Sequence, residues 1–512
     1  MGCAGGSAEL VPAVASPAAQ VTASAAPPAT NLWARDGRGF LFAAGMFPNV
    51  TWYWSDSSDT CVIYGTVTEV IGFGDRQAAA RRSLESGGQF QSFGTTVRRI
   101  AITTASPARS RDRLATLAPL LLALSVGARL AWTYLGPNGS NFIDLHVYLD
   151  CAGQIPSGGL YACVYRPAVP PISLEFTYPP FAALMFYPLH LLPFGFVGLC
   201  WQLGTVAALF ASAAVALKMV GRSDWRIAMA WTAIAIWFEP VRHIFELGQI
   251  NALLMLAVLW AVHSRRWWVS GLFVGWAASM KLTPIVSELY FLGARRWAAA
   301  VFSVVVLGAT IALSVIVLGE QGRYYFTHLI GDPNRIGAPG GLANQSLRGM
   351  LGYFAGRDVG NGPLLVGAVV VAAILALLAW LALDRQDALG QILVVMLFGL
   401  LISPISWSHH WVWVLPLIIW LVHGPWRDRT RAIGVAWTVV VTVGVPWLIL
   451  FAADRAGDSG HWYGWAGAFY VLATLATLVY IVVLGRKSNS SSAGAPKELA
   501  ANETMSSDNH RP

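Results

Sequence analysis

Charge is scarce in this chain. Only 12% of its 512 residues are Asp, Glu, Lys or Arg, about half the share in ordinary soluble proteins. With 56% hydrophobic residues, that shortage excludes a soluble globular protein and points to a membrane protein of many spans. Cysteine is scarce too, and five are too few for a disulfide scaffold. Cys151 and Cys163 share one loop and are read either as a bridge, if that loop faces an oxidising space, or as two free thiols. Several catalytic loops are missing: there is no Gly-x-Ser-x-Gly, no Walker phosphate loop, no His-Glu-x-x-His and no Cys-x-x-Cys. Serine-nucleophile, ATPase and zinc-hydrolase readings therefore lack support. No tight acidic pair such as Asp-x-Asp is present, so no metal site is expected, although the use of a divalent ion stays open.

Residues 1–112 lack an apolar run of the roughly 20 residues that a membrane helix needs. They are rich in Ala, Ser, Pro, Gly and Arg, and no charged start leads into an apolar core as in a signal peptide. The region is read as a disordered extension, with a small regulatory module or an over-extended translation start as alternatives.

Long apolar runs are what remains. Leu114–Leu135 is the first span, preceded by Arg109, Arg111 and Arg113. Basic residues collect on the cytoplasmic side, so the chain starts inside, and the loop after this span lies outside. Arg129, near the outer end of the span, is expected to snorkel to the interface. Tyr178 to Pro193 is too short to cross and is read as re-entrant or interfacial. Alternating the later runs, from Phe194–Val220 to Trp465–Leu484, places nearly every basic cluster inside. The formal charge of +8 thus reflects topology and implies no nucleic-acid partner. The expected architecture is all-α, with about 10–12 transmembrane helices over 113–486, both termini cytoplasmic and a disordered tail over 487–512. Several runs are short, as helices around a cavity are.

The polar residues gather on the outer side of this topology. Asp144 and Asp150 lie in the first outer loop. Tyr178 follows, then Glu246, Gln249 and Asn251 entering a span, Lys281 beside Pro284, Asn344, Gln345 and Arg348 in a long loop, and Trp407, His409 and His410 at a helix entrance. Ionisable groups at membrane depth are costly and face a cavity or one another. Lys281 at the junction of two short segments suits a phosphate, with snorkelling to the interface as its bland reading. Helix capping and interhelical hydrogen bonds are the bland reading of Glu246 to Asn251. Adjacent histidines on a helix point roughly 100° apart, so His409 and His410 are not expected to share one metal. One is read as a phosphate or sugar contact and the other as a packing partner.

Six short motifs carry a resemblance: Asp144-Leu-x-Val-Tyr148, Phe176-x-Tyr-Pro-Pro180, Gly248-Gln-x-Asn251, Lys281-x-x-Pro284, Asn344-Gln-Ser346 and Ser403-Pro-x-Ser-Trp-x-His-His410. In this order the chain resembles the actinobacterial polyprenol-phosphate-mannose-dependent α-(1→2)-mannosyltransferases, membrane enzymes of the GT-C class in glycosyltransferase family 87. The resemblance covers about Leu114 to Arg486; the long N-terminal extension departs from it. It implies a plasma-membrane enzyme acting on the outer face. Such an enzyme would move mannose with inversion from a polyprenyl phosphate to a lipid-anchored acceptor: a phosphatidylinositol mannoside, lipomannan or lipoarabinomannan. By this resemblance Asp144 is the general base. Lys281, one of His409 and His410, and Arg348 are candidates for the donor phosphate. Asp150, Tyr178, Glu246, Gln249, Asn251, Asn344, Gln345 and Trp407 are candidates for substrate contact. The donor is the lipid-linked sugar itself, so no nucleotide cofactor is needed; the oligomeric state is left open. A transporter or flippase of lipid-linked sugars is the competing reading from another class, and a non-catalytic scaffold of cell-wall assembly a second.

Overall fold

The computed structural model describes residues 107–136, 141–167, 173–340, 343–448 and 464–493. The expected disorder of residues 1–106 and 494–512 lies outside them. The first helix, α1, runs Pro107–Leu135, so it begins before the expected boundary at 113. No Gly or Pro interrupts 108–113, and nothing there breaks a helix. The last helix continues past Arg486 to Ala493.

Among the described residues five helices are long and apolar enough to cross a membrane: the span Thr116–Leu135 within α1, Phe194–Met219, Trp297–Leu318, Pro363–Ala382 and Ala468–Arg486. The pair α6 (Glu239–Leu247) and α7 (Asn251–His263), bent by 119°, makes up to six. The other expected crossings are short pieces, such as the 11 residues of α5 (Trp225–Ala235) and the 14 of α8 (Trp267–Met280). Short helices satisfy their own backbone inside a protein wall where a lipid-facing helix needs full length. Asp224 caps α5 by accepting from the Arg226 and Ile227 amides. Gly271 and Gly275, one turn apart on α8, let it lie directly against α10 (Trp297–Leu318). A Cβ on either glycine would fall 2.6–2.7 Å from a backbone carbonyl of α10, the close approach that small residues permit in membranes.

Between α1 and the long helix α4 (Phe194–Met219) the chain forms a compact unit outside the crossing helices. It consists of α2 (Ile143–Ala152), a two-residue ribbon pairing Val164 with Glu175 and Tyr165 with Leu174, and α3 (Pro180–His190). Cys151 and Cys163 form a disulfide, which ties the end of α2 to the start of the ribbon. The later loop lies against this unit. Gln321 accepts from the Leu160 amide at 2.9 Å, and Arg335 donates to Glu175 at 3.2 Å and to the Phe176 carbonyl at 3.0 Å. Arg129 does not snorkel. It is 2% exposed, pairs with Glu246 at 3.7 Å and lies over the Phe245 ring at 5.2 Å. A carboxylate within reach keeps its charge inside the bundle.

The break between α6 and α7 sets the site. Gly248 has φ 74°, and a Cβ there would meet the Leu145 Cβ at 2.6 Å. Only glycine suits both that left-handed turn and that approach to α2. Gly248→Ala is expected to cost about 1–3 kcal/mol and to push α2 from α6. A lower melting temperature in detergent, with slower turnover, checks this; an unchanged melting curve contradicts it.

Candidate active site

The broken helix turns Gln249 and Asn251 toward α2. Gln249 Nε2 donates to Asp144 Oδ2 at 2.7 Å. Its Oε1 accepts from the Tyr178 hydroxyl at 3.0 Å and lies 3.5 Å from Asn251 Nδ2. Tyr178 stands just before α3 and shares a 2.6 Å hydrogen bond with Tyr148. Lys281 follows α8 in extended conformation, with φ −155° and ψ 134°. That exit from the helix, just before a turn containing Pro284, releases its side chain into the same cluster. Lys281 Nζ donates to the Tyr178 hydroxyl at 3.1 Å and to Asn251 Oδ1 at 3.0 Å. Asn251 Nδ2 in turn donates to the His409 carbonyl at 3.2 Å.

Asp144, Tyr178, Gln249, Asn251 and Lys281, distant in sequence, thus form one hydrogen-bonded cluster. No direct ion pair joins Asp144 to Lys281; Gln249 and Tyr178 stand between them. The second carboxylate oxygen of Asp144 has no hydrogen bond among the described residues. Burial raises the Asp144 pKa to about 6, against the pull of the Gln249 hydrogen bond and the Lys281 charge. A carboxylate with that pKa is a base at neutral pH and accepts protons better than an exposed one.

The histidines separate as their spacing requires. Their rings lie 4.6 Å apart and at 87°. His409 is buried, with no partner at Nε2. His410 lines a cavity of about 40 Å³ together with Asn251, Thr283 and Ser403. Among the described residues no group of three His, Cys, Asp or Glu side chains is placed to hold a metal ion.

Other candidates are spoken for. Arg348 makes a two-pronged pair with Asp358 at 2.9 and 2.5 Å, a planar match that a loop carboxylate offers any guanidinium. Both prongs of its fork are thus occupied by that carboxylate. Asn344 is fully buried. It donates to the Pro339 and Pro404 carbonyls and accepts from the Ser406 amide, which makes it a staple between loops. The Gln345 amide donates to Ser406, and its side chain accepts from the Tyr470 amide. Asp150 lies six residues beyond Asp144 on α2, turned to the far side of the helix, 49% exposed and 3.6 Å from His146. Glu246 pairs with Arg129. The Trp407 ring lies against Gly337. Tyr148 was missed as a contributor; its signal was the four-residue step from Asp144, which puts both on one helix face.

Residues 176–404 match the model of glycosyltransferase family 87. A Mycobacterium tuberculosis protein named polyprenol-phosphate-mannose-dependent alpha-(1-2)-phosphatidylinositol pentamannoside mannosyltransferase is 52% identical over 404 residues, 76% of this chain and 94% of its own. A Mycolicibacterium smegmatis protein of the same name is 53% identical over 390 residues, 74% of this chain and 95% of its own. A second M. tuberculosis protein, named for phosphatidylinositol mannoside, is 32% identical over 332 residues, 60% of this chain and 76% of its own. No solved structure matches the chain.

Proposed function

We propose, because the chain belongs to glycosyltransferase family 87, that it moves mannose from polyprenyl-phosphate-mannose to a phosphatidylinositol mannoside through an α-(1→2) bond. The pentamannoside is the acceptor favoured by the relatives at 52% and 53% identity. None of the relatives above carries a transporter name. The observation that carries the mechanism is the meeting of Asp144 and Lys281 in one cluster through Gln249 and Tyr178.

In the proposed reaction the free Asp144 oxygen takes the proton of the acceptor 2-hydroxyl. The hydroxyl oxygen attacks the anomeric carbon from the side opposite the phosphate. The carbon–oxygen bond to phosphate breaks, and its electron pair leaves with the polyprenyl phosphate. The β-linked donor thus gives an α-linked product, a protonated Asp144 and a phosphate whose new charge Lys281 balances. The transition state is oxocarbenium-like by analogy with glycosidases. The site is assigned to the outer face by the positive-inside alternation, and the disulfide beside it suits an oxidising space.

Purified protein in lipid vesicles, given labelled donor and the pentamannoside, is expected to yield an α-(1→2)-linked hexamannoside. Hydrolysis of the donor without transfer, or a different linkage, would overturn the proposal. The acceptor kcat/KM is expected to rise with pH, about tenfold per unit below pH 6. This is the sign required of a base that works when deprotonated and has a pKa raised to about 6. A pH profile from 4.5 to 8 checks it; a level profile across that range contradicts it. Deleting residues 1–105 is expected to leave transfer intact, since nothing in that stretch reads as a span or catalytic motif. An inserted, folded and inactive truncation would show otherwise.

A further inference from the structure

The polar face of α6 does more than frame this cluster. Glu239, Arg242, His243 and Glu246 follow the i, i+3, i+4, i+7 spacing, so all four share one side of the helix. Three are matched. Glu239, fully buried, accepts from Trp447 Nε1 at 2.5 Å and from the Tyr470 hydroxyl at 2.5 Å, and lies 3.1 Å from His243 Nδ1. His243 also bonds Ser408, the neighbour of His409. Glu246 faces Arg129 at 3.7 Å. Arg242 has no hydrogen-bond or ion-pair partner among the described residues. Its guanidinium reaches over the end of α16 (Arg427–Val443), where a Cβ on Gly444 would lie 3.0 Å from Nη2. A half-buried guanidinium left without a carboxylate is costly beside a membrane, and its planar fork fits a phosphate with two hydrogen bonds.

We propose that Arg242 holds the phosphodiester of the anionic glycolipid acceptor, at a second phosphate site separate from the donor phosphate at Lys281. This assignment rests on the function proposed above. Among the described residues the carboxylates of the face are matched by Arg129 and His243, which leaves the Arg242 charge to a ligand. The Glu239–His243–Ser408 chain ties α6 to the His409 turn whose carbonyl Asn251 holds, and among the described residues no hydrogen bond joins Arg242 to the Lys281 cluster. Along α6, Arg242 lies five residues before Leu247, about 7–8 Å of helical rise from the break that leads to Gln249.

The test compares wild type, Arg242→Gln and Arg242→Lys in lipid nanodiscs with two acceptors, a phosphatidylinositol mannoside and a neutral alkyl glycoside bearing the same mannoses. Arg242→Gln is expected to raise KM for the phosphorylated acceptor about tenfold, one charge-assisted contact. KM for the neutral acceptor and for the donor should stay unchanged, and Arg242→Lys, which keeps the charge but not the fork, should recover part of the loss. The ratio of the two acceptor constants is taken within each variant, so a smaller folded fraction cancels. An equal loss on both acceptors, a raised donor KM, or no change on either overturns the assignment. If wild type uses neither acceptor, the functional reading itself fails and this site falls with it.

Discussion

Asp144→Asn is expected to lower transfer about 10³-fold, within the range a general base contributes, while leaving the protein folded and the donor bound. Asparagine has the same shape and still reaches Gln249, which holds the aspartate at 2.7 Å. What it lacks is an oxygen able to take the acceptor proton. The loss should therefore fall on kcat, with little change in donor KM. Asp150→Asn, on the exposed side of the same helix, should stay close to wild type. Labelled mannose transfer in membranes distinguishes the two. Near-normal activity in Asp144→Asn would falsify the assignment of the base.

Lys281→Gln is the second large effect, expected at about 10²–10³-fold in kcat. Glutamine can still donate to the Tyr178 hydroxyl and to Asn251 Oδ1, the two acceptors that Lys281 holds at 3.1 and 3.0 Å. The shape of the cluster is retained and the charge is lost. The departing phosphate then lacks its cation. The same change should move the acid limb of the pH profile above 6, because the Lys281 charge pulls the Asp144 pKa down. A joint fall in rate and upward shift of the limb supports both roles. A fall in rate with an unmoved limb places Lys281 away from the base.

The fold class was legible because apolar runs of membrane length need no tertiary information, and α4 ends within one residue of the expected Phe194–Val220. The shorter pieces were less legible, because their length is set by protein neighbours rather than by lipid. The cluster was legible where polar residues sit at helix breaks, as Gln249, Asn251 and Lys281 do. The surroundings of Arg348, Asn344, Arg129 and Asp150 were not legible, for a shared reason. Each is polar, but its partner is a residue or backbone group that sequence order does not reveal: Asp358, Pro404, Glu246 and His146. The role of Gly248 was hidden too, since a positive φ and a close approach to Leu145 exist only once α2 is folded against α6.

The most direct measurement is an experimental structure of the protein with polyprenyl-phosphate-mannose bound. The account predicts the phosphate within hydrogen-bond reach of Lys281 Nζ, and the anomeric carbon turned toward the open oxygen of Asp144 with room for one hydroxyl between them. A donor seated with its phosphate away from Lys281, or with its sugar shielded from Asp144, would contradict it.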